Sequence, residues 1–347
     1  MDKDNIDTAV HDNLIAAVNA NVKPLHRYVE LRREVLQLDK VHIHDLYVPL
    51  TADAEMNVTF RQAQEILPAA LAPLGVDYVS RLQHGLDPRN GWIDVYPSND
   101  KESGAFSASV YGAHPYVKMN FQDTLDDLST LAHEYGHALH SELAMENQAY
   151  QDYRYVPFLA EIASTCNEAL LSDYLVDQAQ TKEQKAGILA AELESIRTTI
   201  YRQTMFSEFE RLVHGFVENG TPITAALLDE TYAGLVRKYY GPSFTVDAND
   251  GMEWAYIPHF YYKYYVYSYA TGLSSGLAIA ERVKTLGQPA VDGYLGMLKG
   301  GCSAAPIELL KGAGVDLTQP TAVSAALERF DRIITELADI LGVEVPR

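Results

Sequence analysis

Residues 131–140 read LAHEYGHALH, three histidines and a glutamate inside an otherwise apolar run. Few features restrict a fold more. An ionisable group carried into a core must be paired or must ligate something, since leaving it alone costs on the order of several kcal/mol. The surrounding stretch DTLDDLSTLAHEYGHALHSELA has the marks of a helix. Asp123 or Thr124 serves as cap, Asp126 and Asp127 suit the dipole of the first turn, and Leu125, Leu128, Ala132, Tyr135 and Leu139 follow at helical spacing. His133 and His137 are four apart, so they stack on one face and can share one ion, with Zn–N bonds of about 2.0–2.1 Å. Glu134 points away by about a quarter turn, too far round to ligate comfortably. It is placed instead to act as general base toward an attacking water. His140 lies two turns beyond His133, roughly 10 Å along the axis, and cannot join the same ion. Core histidines are the bland alternative, and the spacing inside a capped apolar helix favours the metal.

A catalytic zinc needs a third protein ligand and an open position. The next predicted helix, YVPFLAEIASTCNEALLSDYL, offers Glu161 between Phe158, Leu159 and Ile162, beside the small residues Ala160, Ala163 and Ser164. A carboxylate in such company must be paired or ligating, and small neighbours permit close helix approach. Glu142 and Glu146 fit a solvated face, and Asp152 falls in a tyrosine-rich loop. Glu168, two turns past Glu161, fits either a support behind the ligands or ordinary surface. Elimination leaves Glu161 as the third ligand.

The rest of the chain agrees with a helical protein. VHDNLIAAVNANVKPLHRYVELRREVLQLD and TAVSAALERFDRIITELADILG carry apolar stripes at helical spacing, the second with Thr321 as candidate cap and Gly342 as stop. Between residues 91 and 121 the pattern changes to short Val-, Ser- and aromatic-rich runs bounded by Gly, Pro and Asn. In HPYVKMNF, Val117, Met119 and Phe121 alternate with Tyr116, Lys118 and Asn120, the pattern of a strand with one buried face. The expectation is one mainly α domain over 1–347: helical 1–90, a small antiparallel sheet in 91–121, and a helical remainder from 122. No linker or internal repeat divides it.

Charge and cysteine usage narrow the class. With 27 basic against 47 acidic residues the net charge is −20, which repels nucleic acid and anionic membranes. Two cysteines, Cys166 and Cys302, form no disulfide framework and no short metal spacing. No apolar run reaches the roughly 20 residues of a membrane helix, and the acidic start MDKDNIDTAVHDN lacks the order of a secretory leader. A cytoplasmic protein is expected.

IPHFYYKYYVYSYATG holds seven tyrosines between Tyr256 and Tyr269. If Pro258 opens a helix, Tyr262, Tyr265 and Tyr269 line one face with His259 a turn before. Phenols there could donate to a developing oxyanion, or could simply pack an amphipathic helix. Three weaker signals read as structural. HIHD at 42–45, taken as extended, sends Asp45 away from His42 and His44. DANDG at 247–251 has acidic spacing too short for a calcium loop. LKGGCSAAP lacks the end of a phosphate loop, so its glycines end a helix before Ser303 caps the next.

The stretches GAFSASVYGAHPYVKMNFQDTLDDLSTLAHEYGHALHS, FLAEIASTCNEALL, IPHFYYKYYVYSYATGLSSG and GGCSAAPIELLKGAGVD together resemble the oligoendopeptidase F branch of the thimet oligopeptidase family of zinc metallopeptidases. The resemblance runs from about residue 12 to the end. It implies Zn2+ on His133, His137 and Glu161, Glu134 as base, and a mostly helical catalytic domain that cleaves oligopeptides. It also implies substrate contacts by His259, Tyr262 and Tyr269, and leaves Tyr265 and Tyr267 undecided. Family members carry a long helical N-terminal portion before the matched region, so the expectation is a missing channel wall, relaxed length selectivity and a tendency to self-association. The GAFSASV strand could hold a substrate backbone by edge pairing. Two rival functions remain: a peptide-binding remnant without turnover, against which an intact Glu134 argues, and a hydrolase of non-peptide amides or esters.

Overall fold

The computed structural model describes residues 5–51 and 57–346. The described chain opens with α1 (Thr8–Ala20) and α2 (Lys23–Leu36), then α3 (Phe60–Ala70) and α4 (Val76–Leu86). The strands β1 (Ile93–Asp94), β2 (Phe106–Ala108) and β3 (Tyr116–Lys118) follow. After them come α5 (Leu125–Asn147), α6 (Pro157–Gln178), α7 (Lys182–Ile196), α8 (Gln203–Glu218), α9 (Ala225–Tyr240) and α10 (Tyr267–Leu286). The chain closes with α11 (Gln288–Leu298), α12 (Pro306–Gly312) and α13 (Thr321–Leu341). The fold is mainly α, as the sequence indicates, and none of its described helices is long and apolar enough to cross a membrane.

The centre is a three-helix layer in which α6 lies between α5 and α10. Each element forms for a local reason. Thr124 caps α5, its hydroxyl accepting from Asp127 N–H while the Asp127 carboxylate accepts from Thr124 N–H at 3.0 Å. Pro157 fixes the first turn of α6. Helix α5 is buried along most of its length, and the Tyr135 hydroxyl in its core donates to the Gly85 carbonyl at 2.5 Å. Asn167 of α6 donates to the Ala132 carbonyl at 3.1 Å and accepts from the Tyr78 hydroxyl at 2.9 Å, tying α4, α5 and α6 together.

Two glycines set the spacing of this layer. A β-carbon added at Gly136 would lie 2.4 Å from the Ser164 Cα, and one at Gly272 would lie 2.8 Å from the Glu161 Cβ. Helix α5 therefore meets α6, and α6 meets α10, almost backbone to backbone. Around this layer α13 packs on α2, α7 and α10. A π-helical segment, Arg197–Arg202, joins α7 to α8. Its first residue, the buried Arg197, is ion-paired with Glu194 at 2.6 Å.

The sheet departs from the expected antiparallel one. Its order is β1-β3-β2, with β2 antiparallel to β3 but β1 parallel to β3. After β1 the chain travels to the far edge before returning through the middle, a crossover that strand-like composition does not encode. The expected face is correct: Val117, Met119 and Phe121 are buried. Other local expectations change too. HIHD is not extended but enters a 3-10 turn, Ile43–Tyr47, because the Asp45 carboxylate accepts from His42 N–H at 2.8 Å. Helix α12 is preceded by Ala305 rather than Ser303, with Pro306 as its first residue. Thr321 is the first helical residue of α13 rather than its cap, while Gly342 ends that helix in the left-handed region. In DANDG, Asp250 accepts from Asp247 N–H at 2.8 Å and so closes its own turn.

If the Gly136–Ser164 approach is required, Gly136→Ala lowers unfolding stability by about 1–3 kcal/mol through overpacking. Gly234→Ala, on the exposed side of α9 with nothing near the added carbon, raises it by up to about 1 kcal/mol. Chemical denaturation of both variants checks this, and equal effects would contradict it.

Candidate active site

Helices α5 and α6 bring three donor atoms to one point. His133 Nε2 and His137 Nε2 are 3.1 Å apart, and Glu161 Oε2 is 3.4 Å from the first and 3.8 Å from the second. Among the described residues this is the one cluster of His, Cys, Asp and Glu whose atoms could jointly hold a metal. A tetrahedral ion with bonds near 2.0–2.1 Å requires ligand atoms about 3.3–3.4 Å apart, so the triangle has the right size. The donor chemistry agrees. Two ring nitrogens facing each other so closely can share at most one proton, and a carboxylate closes the third side. The three side chains are 17–30% exposed, which leaves the open side of the triangle accessible to water and ligand.

Glu168 resolves the alternative left open by its spacing. Its Oε1 lies 2.5 Å from His133 Nδ1, on the side of the ring away from the cluster. A carboxylate there fixes the ring orientation and the tautomer that presents a free Nε2. Burial lowers the His133 pKa, but the Glu168 hydrogen bond and charge outweigh it and push the value up to about 9. Burial and then the neighbouring His133 charge bring His137 down to about 3. A divalent ion held between the two Nε2 atoms would serve both rings.

Glu134 is 7% exposed, and its Oε2 has no hydrogen-bond partner among the described residues. Burial raises its pKa above the usual carboxylate range, against which the His133 charge and a backbone hydrogen bond from Ser107 act. Ser107 belongs to β2, an edge strand of the sheet. The Glu134 carboxylate is therefore near both the His133–His137–Glu161 triangle and an edge strand of the sheet.

The tyrosine-rich segment is not one helix. Pro258–Tyr262 is a 3-10 turn, Lys263 and Tyr264 take positive φ (53° and 48°), and α10 starts only at Tyr267. The predicted single face of Tyr262, Tyr265 and Tyr269 is replaced by a folded cluster around His259. The Tyr269 hydroxyl lies 3.4 Å from His259 Nε2, and the Tyr265 and Tyr262 rings stand 6.1 and 5.9 Å from the His259 ring. Tyr269 is one turn before Gly272, the residue packed on Glu161, and the Glu161 charge helps to raise its pKa after burial and Tyr265 have done so. Tyr262 is 62% exposed at the rim of this cluster. Tyr267, undecided from the sequence, is buried against Phe158 and His11.

The sequence gives no warning of Tyr155, whose ring stacks on His140 at 3.5 Å and whose hydroxyl pairs with Ser141 at 2.8 Å, behind the His137 turn. It is one of three tyrosines in a short loop, and tertiary packing alone sets its partner. Gly136 carries a stronger signal. A glycine between the two histidines of a buried helix is a costly choice unless something must come close.

Metal titration of variants separates ligand from support. Glu161→Ala should lose more than about 100-fold in metal affinity, and Glu168→Ala about 10–100-fold. Equal losses would put the assignment of the third ligand in doubt.

A sequence model of Peptidase family M3 matches residues 1–329. Oligopeptidase PepF of Bacillus subtilis is 45% identical over 341 residues, covering 98% of this chain and 51% of that protein. Group B oligopeptidase PepB of Streptococcus agalactiae is 39% identical, covering 96% of this chain and 55% of its own length. The crystal structure of oligoendopeptidase-F from Enterococcus faecium superposes with a TM-score of 0.77 at 34% identity, over 98% of this chain and 54% of that one. PZ peptidase A, at 17% identity and a TM-score of 0.75 over 97% of this chain and 60% of its own, shares the fold. The chain spans about half the length of the relatives it matches. With this match over nearly its whole length, the chain belongs to peptidase family M3.

Proposed function

We propose that this chain is the catalytic region of a zinc-dependent endopeptidase acting on short oligopeptides. The observation that carries the reading is the convergence of His133, His137 and Glu161 with a buried, half-unpaired Glu134 beside them. The names of the relatives, oligopeptidase and oligoendopeptidase F, agree with it. A zinc ion held by His133, His137 and Glu161 would supply Lewis acidity, polarising a carbonyl and making water more acidic.

The chain's own groups would do the remaining work. Glu134 would accept the proton of the attacking water as the new C–O bond forms, and hand it to the amine, so that the C–N bond of the tetrahedral adduct breaks and the carbonyl is restored. Its burial suits the task, because a carboxylate with a raised pKa holds a proton longer than an exposed one. Glu168 keeps His133 in the ligating tautomer. Tyr269 and His259, neighbours of each other with Tyr262 at the rim, would donate hydrogen bonds to an oxyanion. The free edge of β2, next to Glu134, would pair with an extended peptide backbone, with Phe106 and Ala108 exposed on that strand.

Glu134→Gln should keep zinc and lose about 10²–10⁴-fold in peptide turnover, since the ligands are untouched and the base is gone. Near-normal hydrolysis would remove Glu134 from the mechanism. Tyr269→Phe should lower kcat by about 10²-fold with KM little changed; a rise in KM alone would make it a binding residue only.

A further inference from the structure

The segment that carries His259, Tyr262 and Tyr265 is held by a residue far from it in sequence. Lys263 and Tyr264 are consecutive non-glycine residues with positive φ. For bulky side chains this backbone is strained and persists only where the surroundings impose it. Nothing local imposes it here, because the preceding 3-10 turn ends at Tyr262 and α10 has not begun.

The imposing group is on α8. The Glu210 carboxylate accepts a hydrogen bond from the Tyr264 backbone N–H. Glu210 is 4% exposed, between the buried Phe209 and the half-buried Arg211. That arginine turns away to pair with Asp12 at 3.0 Å. Burial raises the Glu210 pKa, and only the Tyr264 amide and the more distant His214 oppose that. A buried carboxylate whose hydrogen bond is to one backbone amide is a poor stabiliser. A leucine would fill the same space at lower cost if packing were the whole purpose. The Tyr264 ring is fixed as well. It lies 4.7 Å from the His214 ring of α8 and 5.3 Å, edge-on, from the His11 ring of α1. Amide and ring are thus anchored on one side of the turn, while His259, Tyr265 and Tyr269 cluster on the other.

We propose that Glu210 is a positioning residue: by holding the Tyr264 amide it imposes the left-handed Lys263–Tyr264 turn, and that turn sets His259 and Tyr265 against Tyr269 beside the metal-binding face. The part of this concerning catalysis rests on the peptidase reading; the part concerning the turn does not.

The experiment compares the whole chain with Glu210→Leu, which keeps volume and removes the acceptor, and Glu210→Gln, which keeps a carbonyl acceptor without charge. Amide hydrogen exchange over residues 257–266, global unfolding, and zinc-loaded cleavage of an oligopeptide are measured on each. Expected for Glu210→Leu are exchange at least about 10-fold faster in that segment alone, unfolding stability equal to or above wild type, and kcat reduced about 10–100-fold with KM little changed. Glu210→Gln should stay within about threefold of wild type in all three. The proposal is overturned if Glu210→Leu leaves segment exchange or kcat at wild-type values, or loses protection throughout the chain, which would make Glu210 a general structural residue. It is also overturned if Glu210→Gln behaves like Glu210→Leu, since the acceptor would then not be what matters. Exchange needs no substrate. A wild-type chain that cleaves no peptide, yet shows the expected exchange pattern, would sink the peptidase reading and leave the assignment of the turn standing.

Discussion

The contact on which the rest depends is the near backbone-to-backbone meeting of α5 and α6 at Gly136 and Ser164. A carboxylate has a short reach, and Glu161 joins His133 and His137 within 3.8 Å only because its helix comes that close. The same helix repeats the device on its other side, where Gly272 lets α10 settle on Glu161. Three helices are thereby locked into one layer whose spacing is set by missing β-carbons. His133, His137 and Glu161 converge where α5 meets α6, with Glu134 near them. Close-packed interiors transmit such constraints faithfully, since small shifts at one contact cannot be absorbed by slack elsewhere.

Electrostatics then decides what the layer can hold. Glu134, Glu161 and Glu168 surround two imidazoles, an excess of negative charge in a half-buried place. The Glu168 hydrogen bond and charge outweigh burial and raise His133, while burial and the His133 charge lower His137. A divalent ion would offset two of the three carboxylate charges, and an open coordination position would turn a charge-compensating arrangement into a reactive one. The strongly acidic balance of the chain, −20 overall, adds a long-range field of the same sign.

How much of this is legible in the amino-acid order depends on how local each signal is. His133, Glu134 and His137 fall at helical spacing within five residues, and the Thr124–Asp127 cap lies before them, so α5 and its candidate chemistry can be read directly. Glu161 is reachable by elimination because an acidic residue among apolar ones is conspicuous. Glu168 is not decidable that way, since two turns along α6 leaves open whether it faces His133 or solvent, and only the helix pairing settles that. The tyrosine segment reads wrongly as one helix because nothing in its composition announces the positive-φ pair; the cause, Glu210, is more than fifty residues away. The direction of β1 is hidden for the same reason: pairing direction is a property of the path between strands, and their own residues do not carry it.

The most direct measurement is stepwise zinc reconstitution of chelated protein, following bound metal and peptide cleavage in the same samples. Cleavage should rise in proportion to zinc and level off at about one ion per chain, as a single three-ligand site requires. Undiminished cleavage by the metal-free protein, or a fully loaded site with no cleavage of any oligopeptide, would contradict the assignment.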